Sequence, residues 1–115
     1  MGLTAVALGA FGAHGLEKLI SPAMQDIFET GVRYHFYHAL AILIVAAMAG
    51  KDNKPSIRYA GWFFTVGILL FSGSLYLLSL RELMDVPAFL GPVTPAGGLF
   101  FMVGWVALFL AAMGR

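Results

Sequence analysis

The sequence contains no cysteine and very little charge. Without cysteine there are no disulfides, no thiolate metal sites and no cysteine nucleophile. Charged residues are 11% of the 115 positions, where soluble domains carry about 25%. Seven basic and six acidic side chains cannot cover the surface of a soluble domain of this length. No basic tract is long enough to hold nucleic acid, and the net charge is only +1. No basic segment precedes the first apolar run, so a cleavable signal peptide is not expected. Alternation of apolar and polar residues is also missing, which argues against the many short strands of a transmembrane barrel.

What the chain has in excess is apolar residues, at 60% against roughly 45–50% in soluble domains. They fall in four runs, about 2–16, 32–50, 57–80 and 95–114. A helix crosses the hydrocarbon core with roughly 20 apolar residues, and the last three runs reach that length. The first covers only about 22 Å at ~1.5 Å per residue. Since lipid admits only helices or closed barrels, the expected fold is all-α. It is one domain over residues 1–115, an integral membrane bundle of four transmembrane helices, with a short amphipathic helix between the first two. Ser21-Pro22 reads as the N-cap and first position of that short helix, and Thr94-Pro95 as the same pair opening the last span. "KDNKPS" and "RELMDVPAFLGPVT" read as loops.

With four spans, both termini and the Lys51–Ser56 loop share one side. That side holds Lys51, Lys54, Arg58 and Arg115, and the other holds Lys18, Arg33 and Arg81 with five of the six acids. The bias expects both termini in the cytoplasm. Tyr59 and Trp62 suit the interfacial belt on that side, and Phe100, Phe101, Trp105 and Phe109 read as lipid-facing or packing aromatics.

The stretch "TGVRYHFYHALAILIVAAMAG" places Arg33, His35 and His38 at the mouth of an otherwise uncharged span. Arg33 is one turn from Glu29 and can pair with it or snorkel to headgroups. His38 lies deeper, where an unpaired charge costs roughly 2.5–3.5 kcal/mol on insertion scales, so it is expected to be neutral and to need hydrogen-bond partners. Candidates at similar depth are His14, Ser72, Ser74 and Tyr76, with Thr94 at the start of the fourth run, while Thr4 and Thr65 are assigned to the opposite half. The candidate polar cluster is therefore His14, Arg33, His35, His38, Ser72, Ser74, Tyr76 and Thr94. Ala5, Gly9 and Ala13 recur every four residues, a small-residue strip for close helix packing.

Catalytic templates fail: no Ser-His-acid spacing, no HExxH and no dinucleotide fingerprint can be argued, and no catalytic residue is named. His35 and His38 could share a metal only without a carboxylate at their depth, so no metal site is assigned.

"AVALGAFGAHGLEKLISP", "FETGVRYHFYHALAIL", "FSGSLYLLSL" and "GPVTPAGGLFFMVGW" occur in this order over nearly the whole chain. Together they resemble the domain of unknown function family numbered 423, small inner-membrane proteins of bacteria similar to the eukaryotic transmembrane protein 256. The resemblance implies a multi-span membrane protein without an established activity, and brings no catalytic role to any residue. It also implies a longer first span than is present here, which leaves the position of the native N-terminus open.

The leading expectation is a non-enzymatic structural or accessory protein of the bacterial inner membrane. It would pack against itself or a larger membrane complex within the lipid bilayer, with no nucleic-acid partner and no assigned cofactor. Two alternatives stay open: a module binding a lipid, quinone or haem at the polar cluster, and a small transporter acting only as an oligomer.

Overall fold

The structure, a computed structural model, describes residues 1–51 and 54–114, without the Glu17 side chain. Arg115, which entered the charge argument, lies outside the described residues, as do Asp52 and Asn53 of the "KDNKPS" stretch. All regular secondary structure among the described residues is helical. Helix α1 is Gly2–His14, α2 is Pro22–Ala49, α3 is Pro55–Ser79 and α4 is Leu90–Ala112.

Three helices, α2, α3 and α4, are long and apolar enough to cross a membrane. Helix α1 has 13 residues and a length of about 20 Å at ~1.5 Å per residue, short of a core ~30 Å thick. Of the four expected spans, three thus have spanning length, and the first is a short apolar helix lying against α2. Helix α1 runs antiparallel to α2, from Thr4 beside His35 to Gly12 beside Gln25 and Phe28. Met1 lies against Phe36, Ala39 and Leu40, about midway along α2.

The expected separate amphipathic helix is absent as well, because α2 is continuous through it. Ser21 caps α2, its Oγ accepting from the Met24 N–H at 3.4 Å, and Pro22 opens it. Nothing between Pro22 and Ala49 interrupts the ladder. Gly31 stays helical, and Thr30 donates its hydroxyl back to the Asp26 carbonyl. The link from α1 to α2 instead contains a 3₁₀ turn, Leu16–Lys18. At 28 residues α2 is about 42 Å long at ~1.5 Å per residue, so it outruns the hydrocarbon and leaves Asp26 and Glu29 near water.

Helix α4 begins at Leu90, earlier than expected, and Pro95 sits inside it. The proline forfeits only the bond to the Gly91 carbonyl, in the helix's second turn, where the loss is smallest. Thr94 is therefore not a cap and faces Ser74 on α3. Helix α3 contains a π turn at Ile68–Ser72, where the Gly73 N–H reaches back five residues to the Ile68 carbonyl. The loop before α4 is tied to α2: Glu82 Oε1 accepts the Ser21 backbone N–H at 2.9 Å.

Helix α3 lies between α2 and α4 in a slab 48 × 27 × 15 Å. Two apolar cores form. One, toward the Lys51–Lys54 end, contains Val45, Ile57, Ala60, Phe64, Ile68, Phe101 and Leu108, with Phe64 at 0% exposure. The other, toward the opposite end, contains Leu16, Ile20, Met24 and Phe28. Glycines set the closest approaches. A Cβ at Gly97 would lie 2.8 Å from the Cα of Phe71 in the π turn, and a Cβ at Gly12 would lie 2.6 Å from the Phe28 ring.

Replacing Gly97 by Leu should therefore drive α4 off α3 and cost about 1–3 kcal/mol or more, because backbone cannot move aside as a side-chain tip can. Gly73→Ala, with nothing within 4 Å, should stay within about 1 kcal/mol and on the stabilising side. Thermal melting of both variants in detergent checks this; equal melting temperatures would contradict the close-approach account.

Candidate functional site

Between the two cores lies a layer of buried polar side chains: His35, His38, Ser72 and Ser74, with Tyr76 and Thr94 partly covered. Helix α2 supplies the histidines, which are three residues apart on one side of the helix yet meet different partners. Helix α3 supplies Ser72, Ser74 and Tyr76, and α4 supplies Thr94.

His35 joins three helices. Its Nδ1 lies 2.8 Å from the Tyr76 hydroxyl on α3, and its Nε2 lies 3.2 Å from Thr4 Oγ1 on α1. Thr4 has one hydroxyl proton and donates it to the Met1 carbonyl at 2.8 Å. Its oxygen must then accept from His35 Nε2–H, so His35 Nδ1 accepts from Tyr76 O–H. The result is a directed chain from Tyr76 through His35 and Thr4 to the Met1 carbonyl.

His38 is held differently. Trp105 Nε1–H, which can only donate, reaches His38 Nε2 at 3.0 Å. His38 Nδ1–H donates to the Tyr34 carbonyl at 2.8 Å, one turn back on α2. The ring stacks on Phe101, with centroids 3.6 Å apart and planes 7° from parallel. The two neutral imidazoles are thus opposite tautomers, Nε2–H for His35 and Nδ1–H for His38.

The hydroxyls close the remaining gaps. Ser72 Oγ donates to the Gly31 carbonyl on α2 at 2.7 Å, and the missing side chain of Gly31 leaves room beside it for the Tyr76 ring and Leu75. Ser74 is hydrogen-bonded to Thr94 across α3 and α4 and also donates to the Phe71 carbonyl, which the π turn presents.

Six of the eight expected cluster residues therefore belong to one layer: His35, His38, Ser72, Ser74, Tyr76 and Thr94. Two do not. His14 is exposed at the far end of α1, away from both other histidines, because α1 runs from mid-bundle outward. Arg33 is exposed and pairs with Glu29 at 3.6 Å, with 60% of its side chain accessible. The partners expected for His38 also change: Tyr76 serves His35, and the serines serve backbone carbonyls and Thr94. Sequence reasoning missed Thr4, placed in the wrong half by assuming a full first span, and Trp105, taken as a packing aromatic. In the small-residue strip, Ala5 is buried and a Cβ at Gly9 would meet Val32, but Gly12 rather than Ala13 faces α2, and Ala13 is exposed.

The layer cross-links all four helices through hydrogen bonds. Among the described residues, no three His, Asp or Glu side chains converge as a metal site requires. Surface cavities lie elsewhere, beside Arg58 and Trp62, beside Gly12 and Arg33, and beside Met1 and Leu40.

Nitrogen-15 spectra of the two imidazoles should show opposite tautomers, and a shared tautomer would contradict the hydrogen-bond directions. Thr4→Val and Tyr76→Phe each remove one partner of His35. Their combined loss of stability should differ from the sum by about 0.5 kcal/mol or more, read from denaturation of the two single variants and the double variant. Strict additivity would show that His35 does not couple the two helices.

Comparison with known proteins agrees with this membrane architecture. The profile described as "Protein of unknown function (DUF423)" matches residues 8–98. The chain is 46% identical over 112 residues to the UPF0382 membrane protein YwdK of Bacillus subtilis, covering 96% of this chain and 88% of that protein. It is 42% identical over 108 residues to a UPF0382 membrane protein of Haemophilus influenzae, covering 93% and 82%. A Staphylococcus aureus UPF0382 membrane protein, SAB0533, is 41% identical over 109 residues, covering 95% and 85%. No solved structure matches the chain significantly. A profile match over most of the chain, with relatives this similar at nearly full length, shows that the chain belongs to the DUF423 family of uncharacterised membrane proteins.

Proposed function

We propose that this protein is a non-enzymatic structural or accessory component of the bacterial inner membrane, with its C-terminus in the cytoplasm, packing against itself or a larger membrane complex. One observation carries this reading: the buried polar layer is closed on itself. Both nitrogens of His35 and of His38 are engaged, and the Ser72, Ser74 and Thr94 hydroxyls are paired within the chain. A ligand or substrate would have to break these bonds to use the same atoms. The helices meanwhile offer wide outer faces. Only 28% of an 18-residue apolar stretch of each span is buried within the chain, so lipid or neighbouring protein surrounds much of the rest.

The orientation rests on charge. Lys51, Lys54 and Arg58 gather at one end, and Gly114 lies close to Lys54, so the end of α4 and the α2–α3 loop share that side.

Purification from native membranes in mild detergent, followed by native mass spectrometry, tests the reading. Recovery as a homo-oligomer or with a stoichiometric membrane subunit is the expected result. A monomer carrying stoichiometric quinone or haem would overturn it. A fluorescent reporter at the C-terminus should light up in the cytoplasm, whereas phosphatase activity from the same position would reverse the orientation.

A further inference from the structure

Trp62 stands on the outer face of α3, 70% exposed, between two apolar grooves. The first, about 270 Å³, runs between α2 and α3 and is floored by Val45, Ala49, Ile57 and Gly61. The second, about 370 Å³, lies on the other side of Trp62 against Phe63, Val66 and Phe100. Both occupy the first three turns of α3, next to the Lys51–Lys54 end. Arg58 borders the first groove at its water end, and Tyr59 borders the second. Arg58 is exposed and forms no ion pair among the described residues.

We propose that the two grooves and Arg58 form a site for one anionic diacyl phospholipid, with an acyl chain on each side of Trp62 and the phosphate on Arg58. The charge of this end selects the headgroup. Among the described side chains, Lys51, Lys54 and Arg58 stand there with no acid, while the opposite end holds Asp26, Glu29, Glu82 and Asp85 against Lys18, Arg33 and Arg81. An anionic lipid is matched at the first end and repelled at the second. Basic positions between membrane helices, facing the headgroup layer, bind such lipids in general. The grooves select the rest of the molecule: their depth below Arg58 suits chains, and the aromatic edge of Trp62 suits the headgroup boundary. The site is separate from the buried polar layer and does not require its hydrogen bonds to open.

The test uses the purified full chain with defined lipids. In native mass spectrometry against an equimolar mixture, phosphatidylglycerol should be retained in preference to phosphatidylcholine. Arg58→Gln should reduce that preference about fivefold, the factor for one basic residue at an anionic surface. Arg33→Gln, at the opposite end, should leave it unchanged. Ala49→Leu, which narrows the first groove from an exposed position, should lower retention of both lipids without lowering the melting temperature. Brominated phosphatidylglycerol should quench emission in the wild type more than in Trp62→Phe, in which Trp105 is the remaining tryptophan. Equal retention of the two lipids, an unchanged preference in Arg58→Gln, or equal quenching with and without Trp62 would overturn the proposal. Competition by glycerophosphoglycerol, which has no acyl chains, would overturn the part assigned to the grooves.

Discussion

The hydrocarbon core of a bilayer offers no hydrogen bonds, so any polar side chain placed between helices must find its partners inside the chain. The arrangement of this bundle reflects that constraint. His35 on α2 cannot leave a ring nitrogen bare, and it takes Tyr76 from α3 and Thr4 from α1. His38 takes Trp105 from α4 and a carbonyl of its own helix. Each choice fixes how far one helix slides along another, because a shift of one residue, ~1.5 Å, already strains a bond of this kind. Apolar contacts alone set such registers poorly in lipid, where a leucine gains little by exchanging an acyl chain for another leucine.

Glycine and the π turn make the polar layer reachable. Gly31 leaves room for the Tyr76 ring and Leu75 of α3 against α2, and its carbonyl accepts the Ser72 hydroxyl at 2.7 Å. Gly97 lets the backbone of Phe71 press against α4, and that backbone belongs to the wide turn Ile68–Ser72. A wide turn inserts a residue and rotates the remainder of the helix by about 100° relative to an uninterrupted one. Ser74 thereby meets Thr94 on α4, while Tyr76 looks back to His35 on α2. Backbone irregularity, small residues and polar pairing are thus one device here, and each would be costly without the other two.

The fold was largely legible in the sequence because bilayer thickness converts directly into run length. Three spans and their loops can be read with that ruler. The first helix could not, since a run of 13 to 15 apolar residues fits either a thin crossing or a half-length helix, and only its packing against α2 decides. The amphipathic helix expected over residues 22–30 was misread as separate because polarity changes at Gly31 while the backbone does not. Within the site, depth was readable and direction was not. The structure brings six of the eight residues together in one layer. Their partners depend on rotation about each helix axis, which the π turn alters without an obvious sequence mark beyond Gly67 and Gly73 at its borders. Trp105 was overlooked for a related reason: an aromatic in a span usually meets lipid or a core, and only a facing acceptor reveals that its N–H is used.

The two ends of the bundle are consequently different in kind. Toward Ser21 and Glu82 the chain is clasped: the Glu82 carboxylate holds the Ser21 N–H at the cap of α2, and the smaller core packs against α1. Toward Lys54 the helices are held mainly by apolar contact, their outer faces are grooved, and the charge is positive. Polar bonds between helices resist sliding, whereas grooved apolar faces adapt to what lies in them. The buried histidines, in the layer between the two cores, hold the helices in register, while the outer faces of α3 and α4 near Lys54 stay open to whatever surrounds the bundle.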